Sequence, residues 1–254
     1  MYQPKISAAT GEVVAVEALL RCHDHVLSRY PIEEVIALAV DVGLMEQLGL
    51  WVMAKACAQT VKWQQAGLRE LVLCVNLCSA EMTDPAFPAR VAEILASNGL
   101  QPEHLYLEIT EREIFDSGQN GQQILAGLRA LGVKLALDDF GTGFSSLSYL
   151  TDLLVDEIKL DRSFLRNVPK VAQDCTVVAS ILGLAHALHL TVVAEGVETA
   201  AQVEFFVRER CDLMQGFFFS PALPPQKMTP WLLERSHRNL LPPSIQGVQP
   251  RSEH

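Results

Sequence analysis

The sequence is short of positive charge. Its 254 residues hold 20 Lys and Arg against 30 Asp and Glu, giving a net charge of −10 and a pI of about 5.2. Proteins that bind DNA or RNA draw affinity from a basic face, so neither is expected as a partner. An anionic substrate stays open if metals and a few placed cations offset the acid. No run of about 18 apolar residues occurs and no basic-then-apolar leader opens the chain, so neither membrane crossing nor secretion is expected. The six cysteines (Cys22, Cys57, Cys74, Cys78, Cys175, Cys211) form no Cys-x-x-Cys pair. They read as reduced core thiols of a cytoplasmic protein rather than a disulfide framework. No G-x-G-x-x-G follows an early strand, which weighs against an open doubly wound sheet, the alternative architecture here.

What is present is an apolar pattern with a regular beat. The chain is 49% hydrophobic and of a length that suits one α/β domain with a sizeable core. Short apolar runs bounded by turn residues predict strands at 2–7, 12–20, 71–77, 105–109, 133–137, 157–160, 190–194 and 211–214. The first two are joined too closely for a crossover, so they must be antiparallel. Helical periodicity predicts two helices within 32–65, broken near Gly43, and single helices at 86–97, 122–130, 172–188, 200–208 and 228–238. Eight strands that mostly alternate with helices point to an α/β fold closed as a (β/α)8-type barrel. The domain is placed at 1–238, with 239–254 a disordered tail rich in Pro, Gly, Gln and Ser.

Several strands end on a charged or amide residue. The clearest case is the apolar run that stops at Asp138-Asp139, followed by a glycine-flanked loop with Thr142, Ser145 and Ser146. The others are Glu17, Asn76, Glu108, Lys159 (with Asp161 just beyond), Glu195 and Gln215. In a barrel these ends converge on one mouth. The donors are all oxygen, without His or Cys, which favours Mg²⁺ or Mn²⁺ over Zn²⁺. Asp138 and Asp139 are expected to diverge, one binding a metal and the other bridging to or binding a second. A carboxylate cluster with room for two metals suits in-line attack on a phosphate diester. Lys159 can hold the attacking water or take its proton, and Arg21 can grip a phosphate bidentately. His23-Asp24-His25 reads as a solvated loop, having no third ligand nearby.

These residues resemble the EAL domain family of bacterial cyclic di-GMP phosphodiesterases. The matching stretches are Tyr2-Gln-Pro4, Glu17-Ala-Leu-Leu-Arg21, Val75-Asn-Leu77, Leu107-Glu-Ile-Thr-Glu111, 138–147, Ile158 to Phe164, Val193 to Glu198, and Gln215-Gly216 followed by Ser220-Pro221. The resemblance implies a modified TIM (β/α)8 barrel with an antiparallel first strand, hydrolysing cyclic di-GMP to linear 5′-pGpG. It implies two Mg²⁺ or Mn²⁺ ions on Glu17, Asn76, Glu108, Asp138, Asp139 and Glu195. Lys159 matches the lysine that positions the nucleophilic water, with Glu195 completing the metal site or serving as base and Glu17 joining them in catalysis. Gln3, Leu19, Arg21, Asp161 and Gln215 match substrate-side positions. Glu111 matches the residue that tethers the loop of Phe140, Gly141, Thr142 and Gly143, coupling dimerisation to metal binding. A homodimer is expected, and many relatives carry an N-terminal sensor domain that is absent from this chain. Cys22, Cys78 and Phe217 depart from common family residues, but none of them replaces a ligand. The alternative reading is a catalytically silent cyclic di-GMP receptor or protein-interaction module.

Overall fold

A computed structural model describes residues 1–22, 24–141, 155–235 and 238–246. Eight strands close a barrel in sequence order: β1 (Tyr2–Ser7), β2 (Val13–Ala18), β3 (Val72–Asn76), β4 (Leu105–Thr110), β5 (Lys134–Phe140), β6 (Glu157–Leu160), β7 (Thr191–Glu195) and β8 (Leu213–Gln215). Strands β2 to β8 run parallel, while β1 is antiparallel to both of its neighbours, β2 and β8. The barrel, rather than an open sheet, is therefore the fold. Because β1 is reversed, its first residues share the mouth with the last residues of the other seven strands. Gln3 lies opposite Glu17 of β2, and Ile6 lies opposite Met214 of β8.

Seven α-helices occur among the described residues: α1 (Ile32–Asp41), α2 (Met45–Gln65), α3 (Phe87–Asn98), α4 (Glu111–Ala130), α5 (Ala172–Ala187), α6 (Ala200–Arg208) and α7 (Pro225–Arg235). The expected break near Gly43 separates α1 from α2, and Gly43 has φ 71°. Helix α4 starts eleven residues earlier than its apolar periodicity indicates. Thr110 caps it by accepting from Glu113 N, while the Glu113 carboxylate accepts from Thr110 N, so two otherwise orphaned amides are satisfied. The helix breaks at Gly118 (φ 56°, ψ −147°), and the first segment buries only Ile114, which hides its period.

Helices seal the outer face of the sheet. Trp63 of α2 is buried, packs edge-on against Tyr2 of β1 at 4.8 Å, and donates its Nε1–H to Thr229 Oγ1 of α7 at 2.8 Å. That one indole joins three elements, its ring apolar and its N–H satisfied. The stretch expected to be a disordered tail is described as far as Gln246, and there it packs. Leu241 is buried, Ile245 lies against the core, and Leu240 N donates to Gly11 O in the β1–β2 turn. Two apolar side chains with a floor to cover offset the ordering of this segment, a gain that composition averaged over a polar tail conceals. Residues 247–254 lie outside the described residues.

Candidate metal and hydrolytic site

The mouth is built by strand periodicity. Alternate residues face the barrel interior, so each strand delivers its last inward residue to the same level. Asn76 lies opposite Glu108 in the β3–β4 register, and Glu195 opposite Gln215 in β7–β8. At the centre stands Lys159 of β6, 1% exposed. Its Nζ is 2.6 Å from Glu108 Oε2, 2.8 Å from Glu195 Oε1, 3.0 Å from Asp138 Oδ2 and 3.8 Å from Glu17 Oε1. Four strands thus aim carboxylates at one ammonium. Asn76 Nδ2 donates to Glu17 Oε1 at 2.8 Å, and Gln215 Nε2 donates to Glu17 Oε2 at 2.6 Å and to Gln3 Oε1 at 3.2 Å.

Asp138 and Asp139 both bring a carboxylate oxygen to the mouth. Asp139 has φ 52°, a left-handed conformation uncommon for a side-chain-bearing residue, and the β5–β6 register shifts between Leu137 and Phe140. The turn brings its carboxylate round beside that of Asp138. Ligand oxygens of Asp138, Asp139 and Glu195 all lie within 4.8 Å of one another. These hard oxygen donors fit Mg²⁺ or Mn²⁺. The Gln215 Oε1 atom, buried without a protein partner, is a further acceptor at this level.

The charges oppose one another strongly. Burial works against the Lys159 ammonium, but Glu108, Glu17, Glu195 and Asp138 outweigh it and hold its pKa well above the ordinary lysine value. Burial pushes the Glu195 carboxyl up, and it stays at about 8 despite Lys159. Glu17 is also raised by burial, and Asp139 is raised by burial and by Asp138 beside it. Glu108 goes the other way: burial is outweighed by Lys159 and Lys5, and its pKa falls to about 2. The cluster holds more carboxylates than ammoniums, which is the charge balance a divalent cation corrects.

Leu19 and Arg21 stand on the rim beyond β2, outside the Lys159 cluster. Leu19 N donates to Met1 O, and the exposed Arg21 donates to Leu20 O. Asp161 follows β6, accepts from Ser163 N at 2.9 Å, and lies near enough to raise the Asp139 pKa. Phe140 is buried, and Gly141 (φ 89°) packs so closely on Phe164 that an added Cβ would fall 2.5 Å from its ring. Glu111 is the first residue of α4. Thr142, Gly143, Ser145 and Ser146, the rest of the expected loop, lie outside the described residues, as does His23. His25 is exposed, in keeping with a solvated loop.

Two buried charged residues beneath this cluster escaped sequence reasoning. Lys5 Nζ lies 2.7 Å from Glu108 Oε1 and 2.9 Å from Glu157 Oε1, and all three are 3% exposed or less. The signal was present: Lys5 is two residues from Gln3 and Glu157 two from Lys159, so both face inward one layer below the mouth.

Residues 1–222 match the EAL domain. The chain belongs to the EAL domain family. This EAL domain is 37% identical to MucR of Pseudomonas aeruginosa, described as a bifunctional diguanylate cyclase/cyclic di-GMP phosphodiesterase, over 89% of this chain and 33% of MucR. It is 39% identical to the cyclic di-GMP phosphodiesterase NbdA of the same organism, over 88% of this chain and 28% of NbdA. The chain spans about a third or less of the length of these curated relatives. The solved structure of the PaMucR phosphodiesterase with c-di-GMP superposes with a TM-score of 0.81 at 38% identity, covering 89% of this chain and 92% of that one. The EAL domain thus shares its fold, and more than a third of its matched residues, with proteins named for cyclic di-GMP chemistry.

Proposed function

We propose that this EAL domain hydrolyses cyclic di-GMP to linear 5′-pGpG. The observation that carries the reading is the convergence of Glu17, Glu108, Asp138 and Glu195 on Lys159, with Asp139 turned in beside them. Asp138, Asp139, Glu195, Glu108, Glu17 and the Asn76 amide oxygen would hold Mg²⁺ or Mn²⁺, two per site. Such ions supply a polarised phosphate and a water of lowered pKa. A manganese/cyclic di-GMP complex of Klebsiella pneumoniae BlrP1 matches 87% of this chain at 31% identity (TM-score 0.74), which supports that choice of metal.

The residues divide the work. Water attacks phosphorus, the new P–O bond forms, and the P–O3′ bond breaks on the opposite side. Lys159, held protonated by its carboxylates, orients the water by donating a hydrogen bond. Glu195, whose carboxylate lies 2.8 Å from the Lys159 ammonium, is placed to accept the proton the water loses. The leaving 3′-oxygen takes a proton to give the free hydroxyl of pGpG. Gln3, Leu19, Arg21, Asp161 and Gln215 form the substrate side of the mouth, and Glu111 tethers the loop from Phe140 through Gly143. A homodimer, an N-terminal sensor and a cytoplasmic location belong to the same proposal, as does a domain spanning 1–238 onto which the stretch 239–246 packs.

The test is a single-turnover assay with cyclic di-GMP and Mn²⁺, read by chromatography, beside a metal-free control. Metal-dependent appearance of pGpG is the expected result. Binding of cyclic di-GMP without linear product would make the protein a receptor instead.

A further inference from the structure

Lys5 sits where a barrel usually places an aliphatic side chain. Interior layers of such barrels are mostly Val, Ile and Leu, packed apolar against apolar. Here the layer beneath the mouth holds the wholly buried ammonium of Lys5, facing Glu108 above and Glu157 across. A buried ion pair is a poor way to gain stability. Desolvating both charges costs several kcal/mol, and apolar replacements of similar volume are often neutral or stabilising. The geometry suggests a different use. Glu108 has one oxygen on Lys5 at 2.7 Å and the other on Lys159 at 2.6 Å. Gripped at both ends, its carboxylate cannot rotate about its last bond without breaking one of two charge-assisted hydrogen bonds.

We propose that Lys5, anchored by Glu157, is a positioning residue: from below the site it fixes Glu108 Oε1, keeping Oε2 turned to the mouth for a divalent cation. The inference rests on the metal-site reading above and adds to it two residues that touch neither substrate nor cation. Outer partners that orient a ligating carboxylate typically matter by about 10- to 100-fold in metal affinity.

The sign of the effect separates positioning from charge. Removing an ammonium from beneath a cation site should tighten cation binding on Coulombic grounds alone. Loss of positioning weakens it. The variants are Lys5→Met and the charge-balanced Lys5→Met/Glu157→Leu, with Mn²⁺ affinity read by titration calorimetry and folding by circular dichroism. In the single variant Glu157, already raised in pKa by burial, can take up a proton and remain buried. Wild-type protein is expected to bind Mn²⁺, and both variants to fold and bind it about 10- to 100-fold more weakly. Equal or tighter binding in a folded variant overturns the proposal, as does failure of both variants to fold, which would make Lys5 a structural residue. If wild-type protein itself binds no Mn²⁺, the metal-site reading is what fails.

Discussion

Replacing Glu81 by glutamine removes a carboxyl that ionises inside the protein near neutral pH. Glu81 is 1% exposed, in the turn of 3-10 helix Glu81–Thr83 after β3. Its Oε2 accepts from Cys78 N at 3.0 Å, while its other oxygen lies against Gly49 of α2, so close that an added Cβ there would fall 1.8 Å from it. Burial lifts its pKa from 4.5 to about 7, the Cys78 amide offsetting only part of the cost. Between those values the folded state holds a proton that the unfolded state has released, so stability is full below 4.5 and is lost as pH rises through about 7. At about 1.4 kcal/mol per pKa unit, the loss above neutrality amounts to about 3 kcal/mol. Glutamine keeps an acceptor for Cys78 N and carries no charge. Urea unfolding of the two proteins should therefore give nearly equal stabilities near pH 4 and a glutamine variant more stable by about 3 kcal/mol near pH 8. A stability gap that does not change between the two pH values would refute the buried-charge reasoning.

Three further outcomes are expected. Lys159→Ala should lower cyclic di-GMP turnover by about 100-fold or more, because four carboxylates lose the cation that orders them and the water loses its donor; near-wild-type rates in that assay would remove Lys159 from the chemistry. Thr110→Ala dismantles the cap of α4 and should cost about 1 kcal/mol in urea unfolding, with no loss if the cap is idle. Gly216→Ala would set a Cβ 2.1 Å from Val197 O, a backbone atom that cannot step aside, so a drop of about 1–3 kcal/mol in stability is expected by thermal melting, and an unchanged melt would contradict the packing.

The site was legible because of where its charges fall. Glu17, Glu108, Asp138, Lys159 and Glu195 each lie at or near the end of an apolar strand, and parallel strands collect their ends at one mouth. The β1–β2 hairpin was legible too, since its short turn forbids a parallel pair. Other features depend on partners far away in the chain. Lys5 looks like an ordinary strand charge until Glu108 and Glu157, more than a hundred residues on, close around it. The left-handed backbone of Asp139 falls within the register shift against β6, which alternation along one strand cannot reveal. The packed stretch 239–246 finds its cover in the β1–β2 turn, at the other end of the sequence.

The reversed first strand has a consequence for how the molecule can be connected. In an all-parallel barrel the chain begins at the floor, far from the chemistry. Here Met1 is pinned at the rim, its amine 2.8 Å from Leu19 O, two residues past Glu17. A module joined ahead of Tyr2 would have its tether beside the mouth, and a tug or twist on that tether would reach Gln3 and then Lys5 along a single strand. The stretch 239–246 packs instead on the β1–β2 turn at the opposite end of β1. Met1 and that stretch are therefore unequal handles: one pulls on the site, the other on the base.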